Sequence, residues 1–545
     1  MSAFFASLCV PGTFGGLSLH GAEILSVSAS LVTNYTASVA AVFRITQPST
    51  EVQNATFCNV TVTYTHPGQN DNIITEAWLP TEDWNGRFLA VGGGGFAAGR
   101  GFLSFENMKG AIGDGYATIT TDSGFGDAQE PTPWALVSPG NVNLYNLQNL
   151  AHVSLNDEAI IGKALIKNLY GKGPEYSYWN GCSQGGRQGL ALAQRYPKAY
   201  DGISAAAPAI YWSDFFTSSH WPQQFMNNLG TYPYGCEIDA ITAAAVAVCD
   251  GLDGVVDGII ADPDACLARF DPFSLVGKVI DCNQTIDGSQ VDISHAAAAT
   301  VNATWHGASK PNGTPIWPGV LPGADLTGLS QTFPGQVSLA ATNCTTGTCV
   351  GAPIFLTVKW LQMFLAKDPS FDVANLTHVE YDRLIHAGKQ QFASFMDTAD
   401  PDLSDFRDVG GKMITFHGLA DNVIPPGGSE KYYQEVSALL PDTPSFYRYF
   451  EVPGLGHCFG GRAGQPSSLF EQLRAWVENG TAPGQTPIDV NAADGTVHHR
   501  ILCPYPHVSV FDEGCGDAAA VACWSCGERG GSSRFLKRSD NQTGL

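Results

Sequence analysis

The chain has 545 residues, 44% of them hydrophobic, with 28 Lys and Arg against 51 Asp and Glu and a formal net charge of −23. That length exceeds what one hydrophobic core supports, so one large domain with a big insertion, or two domains, is expected. The acidic balance argues against nucleic acid and anionic membrane surfaces as partners, and no apolar run approaches the roughly 20 residues that span a membrane.

At the N-terminus, residues 1–10 lack a basic lead and offer only a weak apolar stretch before Pro11 and Gly12, so either the export signal is atypical or the true start lies upstream. Residues 31–45 and 60–65 are rich in β-branched, alternating positions and predict early strands. Residues 87–91 read as a strand feeding the glycine run Gly92 to Gly95, and 116–121 as another strand. Residues 147–169 have helical spacing and precede a strand at 175–179 that leads into Gly181-Cys182-Ser183-Gln184-Gly185. A helix over 184–196 and a strand over 203–208 follow. Between 210 and 405 the pattern turns aromatic and Gly/Pro/Asn-rich, with Trp212, Phe216, Trp305 and Trp360 among its large side chains, and predicts an inserted lid. Regular character returns with a buried strand at 412–416 ending in His417-Gly-Leu-Ala-Asp421. Next come a helix over 429–440, a strand over 445–452, the loop bearing His457 and a helix over 467–479. Beyond Pro506 the tail holds Cys515, Cys523 and Cys526, turns polar from Gly527, and is expected to be disordered in its last residues. The expected division is 1–209 and 406–512 for a catalytic domain, 210–405 for the insertion and 513–545 for a cysteine-bearing tail. No internal repeat is present.

Gly181 to Gly185 is a G-x-S-x-G pentapeptide, the pattern of a strand-to-helix turn so sharp that residues without a Cβ must flank the serine. Ser183 is therefore the candidate nucleophile. In a chain with 61 glycines such a match also arises by chance, so the surroundings decide. Acyl transfer by serine needs a base to take the hydroxyl proton and an acid to orient that base. Ser183, Asp421 and His457 stand in the order nucleophile, acid, base, which is the order of the α/β-hydrolase fold. A structural loop histidine and a helix-capping aspartate are the plainer readings of the last two. His417 is a rival base, but its place at a strand end suits a structural role better. For the developing oxyanion, the backbone N–H of Gln184 supplies one donor and either Gly94 or Gly95 a second. The glycine run lacks the Gly-Lys-Ser/Thr ending of a phosphate loop.

Cys182 precedes the serine and Cys458 follows the histidine, so a serine and histidine within hydrogen-bond reach would bring the two cysteines within disulfide range. The fourteen cysteines and ten Asn-x-Ser/Thr sequons (Asn34, Asn54, Asn59, Asn283, Asn302, Asn312, Asn343, Asn375, Asn479 and Asn541) point to the secretory route, against chance sequons and buried thiols in a cytosolic enzyme. Asp250, Asp253 and Asp257 lie in a glycine-rich loop of the kind that suits a hard cation such as calcium. The loop is not an EF-hand, because Ala261 stands where its last glutamate would be, and a solvated acidic turn is the alternative.

With Gly-Cys-Ser-Gln-Gly, Leu-Ala-Asp421 and Gly-His-Cys458 in order, the chain resembles the fungal tannase and feruloyl esterase family from Cys9 to Pro504, including Asp402-Leu-Ser-Asp-Phe406, Gly410-Gly-Lys-Met413 and Leu502-Cys-Pro-Tyr505. The resemblance implies an α/β-hydrolase fold with a large inserted lid, a Ser183–His457–Asp421 triad and a Cys182–Cys458 bridge. It implies structural calcium in the lid, held by Asp250, Asp253 and Asp257 with the carbonyls of Val255 and Ile259, and a Cys249–Cys266 bridge around that loop is expected. It also implies a secreted esterase for phenolic acid esters. Feruloyl esters, free or polysaccharide-linked, come first, gallate esters second and other aromatic esters third, with a non-hydrolysing phenolic or carbohydrate receptor as the alternative from another class. The C-terminal cysteines and Arg534-Phe-Leu-Lys-Arg538 fall outside the resemblance, and the sequence carries no signal for oligomeric state.

Overall fold

The computed structural model describes residues 2–126, 129–285, 288–329, 337–345, 347–492 and 495–529, so Arg534 to Arg538 and the Asn541 sequon lie outside the described residues. A long antiparallel hairpin opens the sheet, β1 (Glu23–Val39) against β2 (Thr50–Thr65), with Glu23 opposite Thr65. In β2 the apolar Val60, Val62 and Tyr64 alternate with half-buried polar residues, the period of a strand with one face on the core. The first strand is shifted from the 31–45 reading: it starts earlier and stops at Val39. Residues 41–43 make a turn, and the buried Arg44 pairs with Asp114 instead of continuing the ladder.

Next come β3 (Ile73–Pro80), β4 (Arg87–Val91), a helix α1 (Phe102–Gly113) and β5 (Ala117–Thr121). Neither β3 nor α1 is legible in the sequence: in β3 the buried polar pair Thr75 and Glu76 breaks the apolar run, and α1 follows a glycine-rich loop without a capping side chain. The stretch 147–169 carries a π-helical turn at Asn149–Val153 before α2 (Ser154–Tyr170). Then β6 (Tyr176–Cys182) leads into α3 (Gln184–Arg195), followed by β7 (Gly202–Ala206).

From there the chain leaves the sheet and returns only at β8 (Lys412–Gly418), whose Lys412 lies opposite Gly202 of β7. The excursion is mainly helical, including α4 (Trp212–Ser218), α5 (Trp221–Leu229), α6 (Gly235–Cys249), α7 (His295–His306) and α8 (His378–Met396). It has a core of its own around Ile238, Ile241, Val301 and Trp305. An aromatic cluster of Trp212, Phe216, Trp360 and Phe364 joins it to Phe96, at the end of the glycine run. After β8 come α9 (Gly427–Leu439), β9 (Tyr447–Val452) and α10 (Leu469–Asn479).

Among the described residues, nine strands form one sheet in the order β1-β2-β3-β5-β4-β6-β7-β8-β9. It is antiparallel from β1 to β5 and parallel from β5 to β9. This mixed sheet with flanking helices is an α/β-hydrolase fold. Two hairpins close the chain, β10 (Thr486–Asn491) with β11 (Val497–Leu502) and β12 (His507–Phe511) with β13 (Trp524–Glu528), so residues on both sides of 512 belong to one hairpin. The polar stretch from Gly527 thus begins within an ordered strand, where Gly527 pairs with Val508. All fourteen cysteines are paired: 9–58, 182–458, 236–282, 249–266, 344–349, 503–526 and 515–523. Among the described residues no helix is long and apolar enough to cross a membrane.

Candidate active site

Three parallel strands from one half of the sheet, β6 separated from the adjacent pair β8 and β9 by β7, deliver three side chains to one place. Ser183 follows β6, Asp421 follows β8 and His457 follows β9, all at carboxyl ends, where loops of an α/β sheet converge. Ser183 has φ +64° and ψ −119°, a strained conformation that lifts its hydroxyl out of the strand-to-helix turn. Gly181 and Gly185 make this possible, because a Cβ on Gly181 would stand 2.5 Å from Gly185 backbone.

His457 Nε2 lies 2.9 Å from Ser183 Oγ, and its Nδ1 lies 2.7 Å from Asp421 Oδ2. A carboxylate can only accept, so Nδ1 carries the proton and Nε2 presents its lone pair to the serine hydroxyl. The His457 side chain is 16% exposed and Asp421 is fully buried, so the serine end of the path is open to solvent and the acid end is closed. Burial alone would raise the Asp421 pKa, but the charge of His457 and the hydrogen bonds from His417 and His457 hold its carboxyl well below the usual carboxylate range. Asp421 Oδ1 also accepts from the N–H groups of Val423 and Ile424, each at 2.8 Å.

His417 is the second histidine on this carboxylate. Its Nε2 lies 3.0 Å from Asp421 Oδ2 and 3.1 Å from the Ile424 carbonyl, while Nδ1 lies 2.8 Å from Ser429 Oγ. Both partners of Nε2 are acceptors, so Nε2 donates and the ring is fully committed; it orients Asp421 and is turned away from Ser183.

Cys182 and Cys458 are bonded, with Cα atoms 6.0 Å apart, which ties the residue before the serine to the residue after the histidine. The glycine run packs backbone to backbone on the elbow: a Cβ on Gly92 would lie 2.6 Å from Gly185 Cα, and Gly185 N–H donates to the Gly93 carbonyl at 3.1 Å. Gly94 N–H is committed to the Ala97 carbonyl at 3.1 Å. Gly95 N–H and Gln184 N–H have no acceptor among the described residues. Two side chains absent from the sequence reading set this loop. Gln188 Oε1 accepts from Gly93 N–H at 3.0 Å, and Gln129 spans the loop, accepting from Phe96 N–H at 3.0 Å and donating to the Gly94 carbonyl at 2.7 Å. Gln188 sits one helical turn past the elbow, a position that a search for polar residues behind the nucleophile would reach; Gln129 carries no such signal.

The acidic loop lies next to the His457 loop. Asp250 accepts from Asp257 N–H at 3.0 Å and Gly258 N–H at 2.9 Å, and the Cys249–Cys266 bond closes the segment. Arg500, 2% exposed, places Nη2 3.0 Å from Asp253 Oδ2 and 2.8 Å from Asp257 Oδ2. Both Asp257 oxygens are buried and neither receives a well-directed hydrogen bond, so the Arg500 approach to Asp257 is an ion-pair contact only. Burial raises the Asp257 carboxyl to about 6, with Arg500 opposing. Among the described residues no three or more His, Cys, Asp or Glu side chains converge as a ready-made metal cluster. The chemistry nonetheless fits a hard dication: three carboxylates against one guanidinium leave two negative charges uncompensated, and the donorless Asp257 oxygens are the acceptors such an ion seeks. Val255 and Ile259, whose carbonyls complete the expected ligand set, are both buried.

Residues 58–526 match the family model described as "Tannase and feruloyl esterase". A protein of Arthroderma benhamiae described as "Probable feruloyl esterase" is 37% identical over 89% of this chain and 88% of its own length. Among solved structures, the tannin acyl hydrolase from Aspergillus niger superposes with a TM-score of 0.82 at 27% identity, covering 99% of this chain and 95% of that one. Feruloyl esterase B from Aspergillus oryzae does so with a TM-score of 0.76 at 26% identity, covering 96% and 100%.

Proposed function

The chain belongs to the tannase and feruloyl esterase family and is a carboxylic-ester hydrolase, and from that premise we propose that it cleaves phenolic acid esters, feruloyl esters first, through an acyl-enzyme on Ser183. One observation carries the acyl-enzyme mechanism, the unbroken hydrogen-bonded path from buried Asp421 through His457 to a strained Ser183, while the phenolic substrate class is supported by the relatives.

Ser183 Oγ attacks the ester carbonyl as His457 Nε2 takes its proton. Asp421, kept ionised by its surroundings, stabilises the imidazolium on the Nδ1 side. The N–H groups of Gln184 and Gly95 receive the oxyanion. His457 then gives its proton to the leaving alcohol, and water, activated by the same histidine, releases the acid and restores Ser183. The inserted segment 210–405 serves as the lid over this site and contributes to the pocket for the aromatic acyl group.

The acidic loop holds calcium through Asp250, Asp253 and Asp257 with the carbonyls of Val255 and Ile259. There the ion supplies charge neutralisation and cross-linking, with no part in the chemical steps. Seven disulfides and the exposed sequons favour a secreted, glycosylated enzyme.

A second reading, hydrolysis of gallate esters, is favoured by the superposition on tannin acyl hydrolase. Initial rates on methyl ferulate, methyl caffeate and methyl gallate, with Ser183→Ala as the blank, separate the two. Faster turnover of the cinnamates supports the first reading and faster turnover of gallate the second. If only a small activated ester is hydrolysed, the phenolic assignment falls while the serine mechanism stands.

A further inference from the structure

Four residues after the nucleophile, in the first turn of α3, stands an arginine whose placement runs against two rules. Arg187 is fully buried, yet among the described residues no carboxylate forms an ion pair with it. It also sits at the positive end of its helix, where a cation is disfavoured and where α3 carries no acidic residue. Burial, with the neighbouring charge of Arg195 adding to it and the more distant carboxylate of Asp397 opposing, draws the guanidinium pKa down to about 9, so the group is still cationic at neutral pH. Burying such a charge is costly unless something at this end of the helix uses it.

Its hydrogen bonds show what it holds. Nη2 donates to the carbonyls of Leu150 and Ala151 at 2.9 and 3.0 Å, two groups within the π-helical turn ahead of α2. Nη1 donates to the carbonyl of Met396 at 3.2 Å, the last residue of α8 in the inserted segment. The guanidinium lies over the Trp212 ring, 5.5 Å from its centroid. Nε donates to Gln184 Oε1 at 2.6 Å, and that is the one hydrogen bond the Gln184 side chain makes among the described residues, since its Nε2 is buried without an acceptor. Gln184 in turn bears the backbone N–H available to the oxyanion.

We propose that Arg187 is a positioning residue for the oxyanion donor at Gln184, locking that residue to the inserted segment and keeping behind it a positive charge that no direct ion pair neutralises. A network of carbonyl acceptors could be satisfied by a neutral side chain; the retained charge acquires a purpose when negative charge develops at the mouth of α3. This assignment rests on the serine-esterase reading.

The test uses the full chain with 4-nitrophenyl acetate, which makes no demand on phenolic specificity, and a trifluoromethyl ketone, whose serine adduct carries the oxyanion. Arg187→Met keeps the volume and removes the charge; Arg187→Lys keeps the charge without the planar fork. Expected for Arg187→Met is a kcat roughly 10- to 100-fold lower with KM within about twofold, smaller than or comparable to losing an oxyanion donor outright, with ketone affinity falling in parallel. Arg187→Lys recovers part of both. A purely structural role would lower the unfolding temperature without this kcat-against-KM split. Should Arg187→Met fail to fold, Gln184→Met, which leaves the guanidinium and the backbone N–H in place, is expected to lower kcat and ketone affinity in the same direction. Ser183-dependent turnover and ketone binding unchanged in a folded Arg187→Met or in Gln184→Met would overturn this assignment alone. Turnover that survives Ser183→Ala would overturn the serine-esterase reading and this assignment with it.

Discussion

Ile259 lies against the bare Cα of Gly454: a Cβ on Gly454 would stand 2.5 Å from Ile259 Cγ2 and 3.1 Å from its Cβ. Ile259 belongs to the acidic loop, and Gly454 begins the segment that presents His457. Across the same seam a Cβ on Gly258 would lie 3.2 Å from the Arg462 side chain, while Arg462 N–H donates to the Gly454 carbonyl at 2.9 Å. The histidine loop is thus held between this contact and the Cys182–Cys458 bond.

Gly454→Ala is expected to lower unfolding free energy by roughly 1–3 kcal/mol, because φ is +76° there and the methyl group has no room. His457 is three residues on, and displacing it by a fraction of an ångström is expected to cut kcat/KM by about tenfold or more. Ile259→Ala in the same chain should return part of both losses. Denaturant unfolding and steady-state kinetics on the single and double variants measure the coupling.

The Cys182→Ser, Cys458→Ser double variant releases a loop of 276 residues in sequence separation. A stability loss of about 2–5 kcal/mol is expected, read from denaturant midpoints, with a fall in kcat exceeding that in any other disulfide-deleted variant compared at a temperature where all are folded. Equal kcat losses across such variants would mean the bridge acts on the fold alone.

His66 is clamped between Asp71 and Asp157, with Nδ1 2.7 Å and Nε2 3.2 Å from their carboxylates. The hydrogen bonds to Asp157 and Asp71 raise its pKa to about 9 against the opposing effect of burial. A raised folded value gives stability that is fully present below the unfolded value near 6.5 and is lost as pH climbs through about 9. The expected slope in that window is at most about 1.4 kcal/mol per pH unit. His66→Gln should flatten it, as followed by urea midpoints between pH 6 and 10.

Calcium removal by a chelator is expected to lower the unfolding temperature by a few degrees, at roughly 1 °C per kcal/mol in a chain of this size. Asp257→Asn should abolish bound calcium in elemental analysis and make the unfolding temperature indifferent to chelator. If the wild-type protein purifies from calcium-containing buffer without the ion, the acidic loop is a plain Arg500-paired turn.

The G-x-S-x-G pentapeptide and the order nucleophile, acid, base bring out Ser183, Asp421 and His457, and the sheet then leaves few ways to arrange their ends. The cysteines beside them add a distance constraint that needs no coordinates. The oxyanion side resists such reading. Gly94 and Gly95 are chemically identical, and what separates them is a turn closed by Ala97 and clamped by Gln129, 35 residues from Gly94. The 3.0 Å contact between His417 and Asp421 is likewise hidden, since a histidine four residues from an aspartate in a loop has no fixed geometry until α9 supplies Ser429. Strand β3 escapes notice because the polar Thr75 and Glu76 interrupt its apolar run although both are buried.

Ser183 and His457 stand 274 residues apart in the chain, and Cys182 waits still longer for its partner. A ribosome therefore exposes the nucleophile long before the base that activates it exists, and strand β8 cannot dock beside β7 until the whole intervening segment has been synthesised. Hydrolytic competence is a property of the finished polypeptide: a product truncated anywhere before the last strand of the sheet carries its serine in silence.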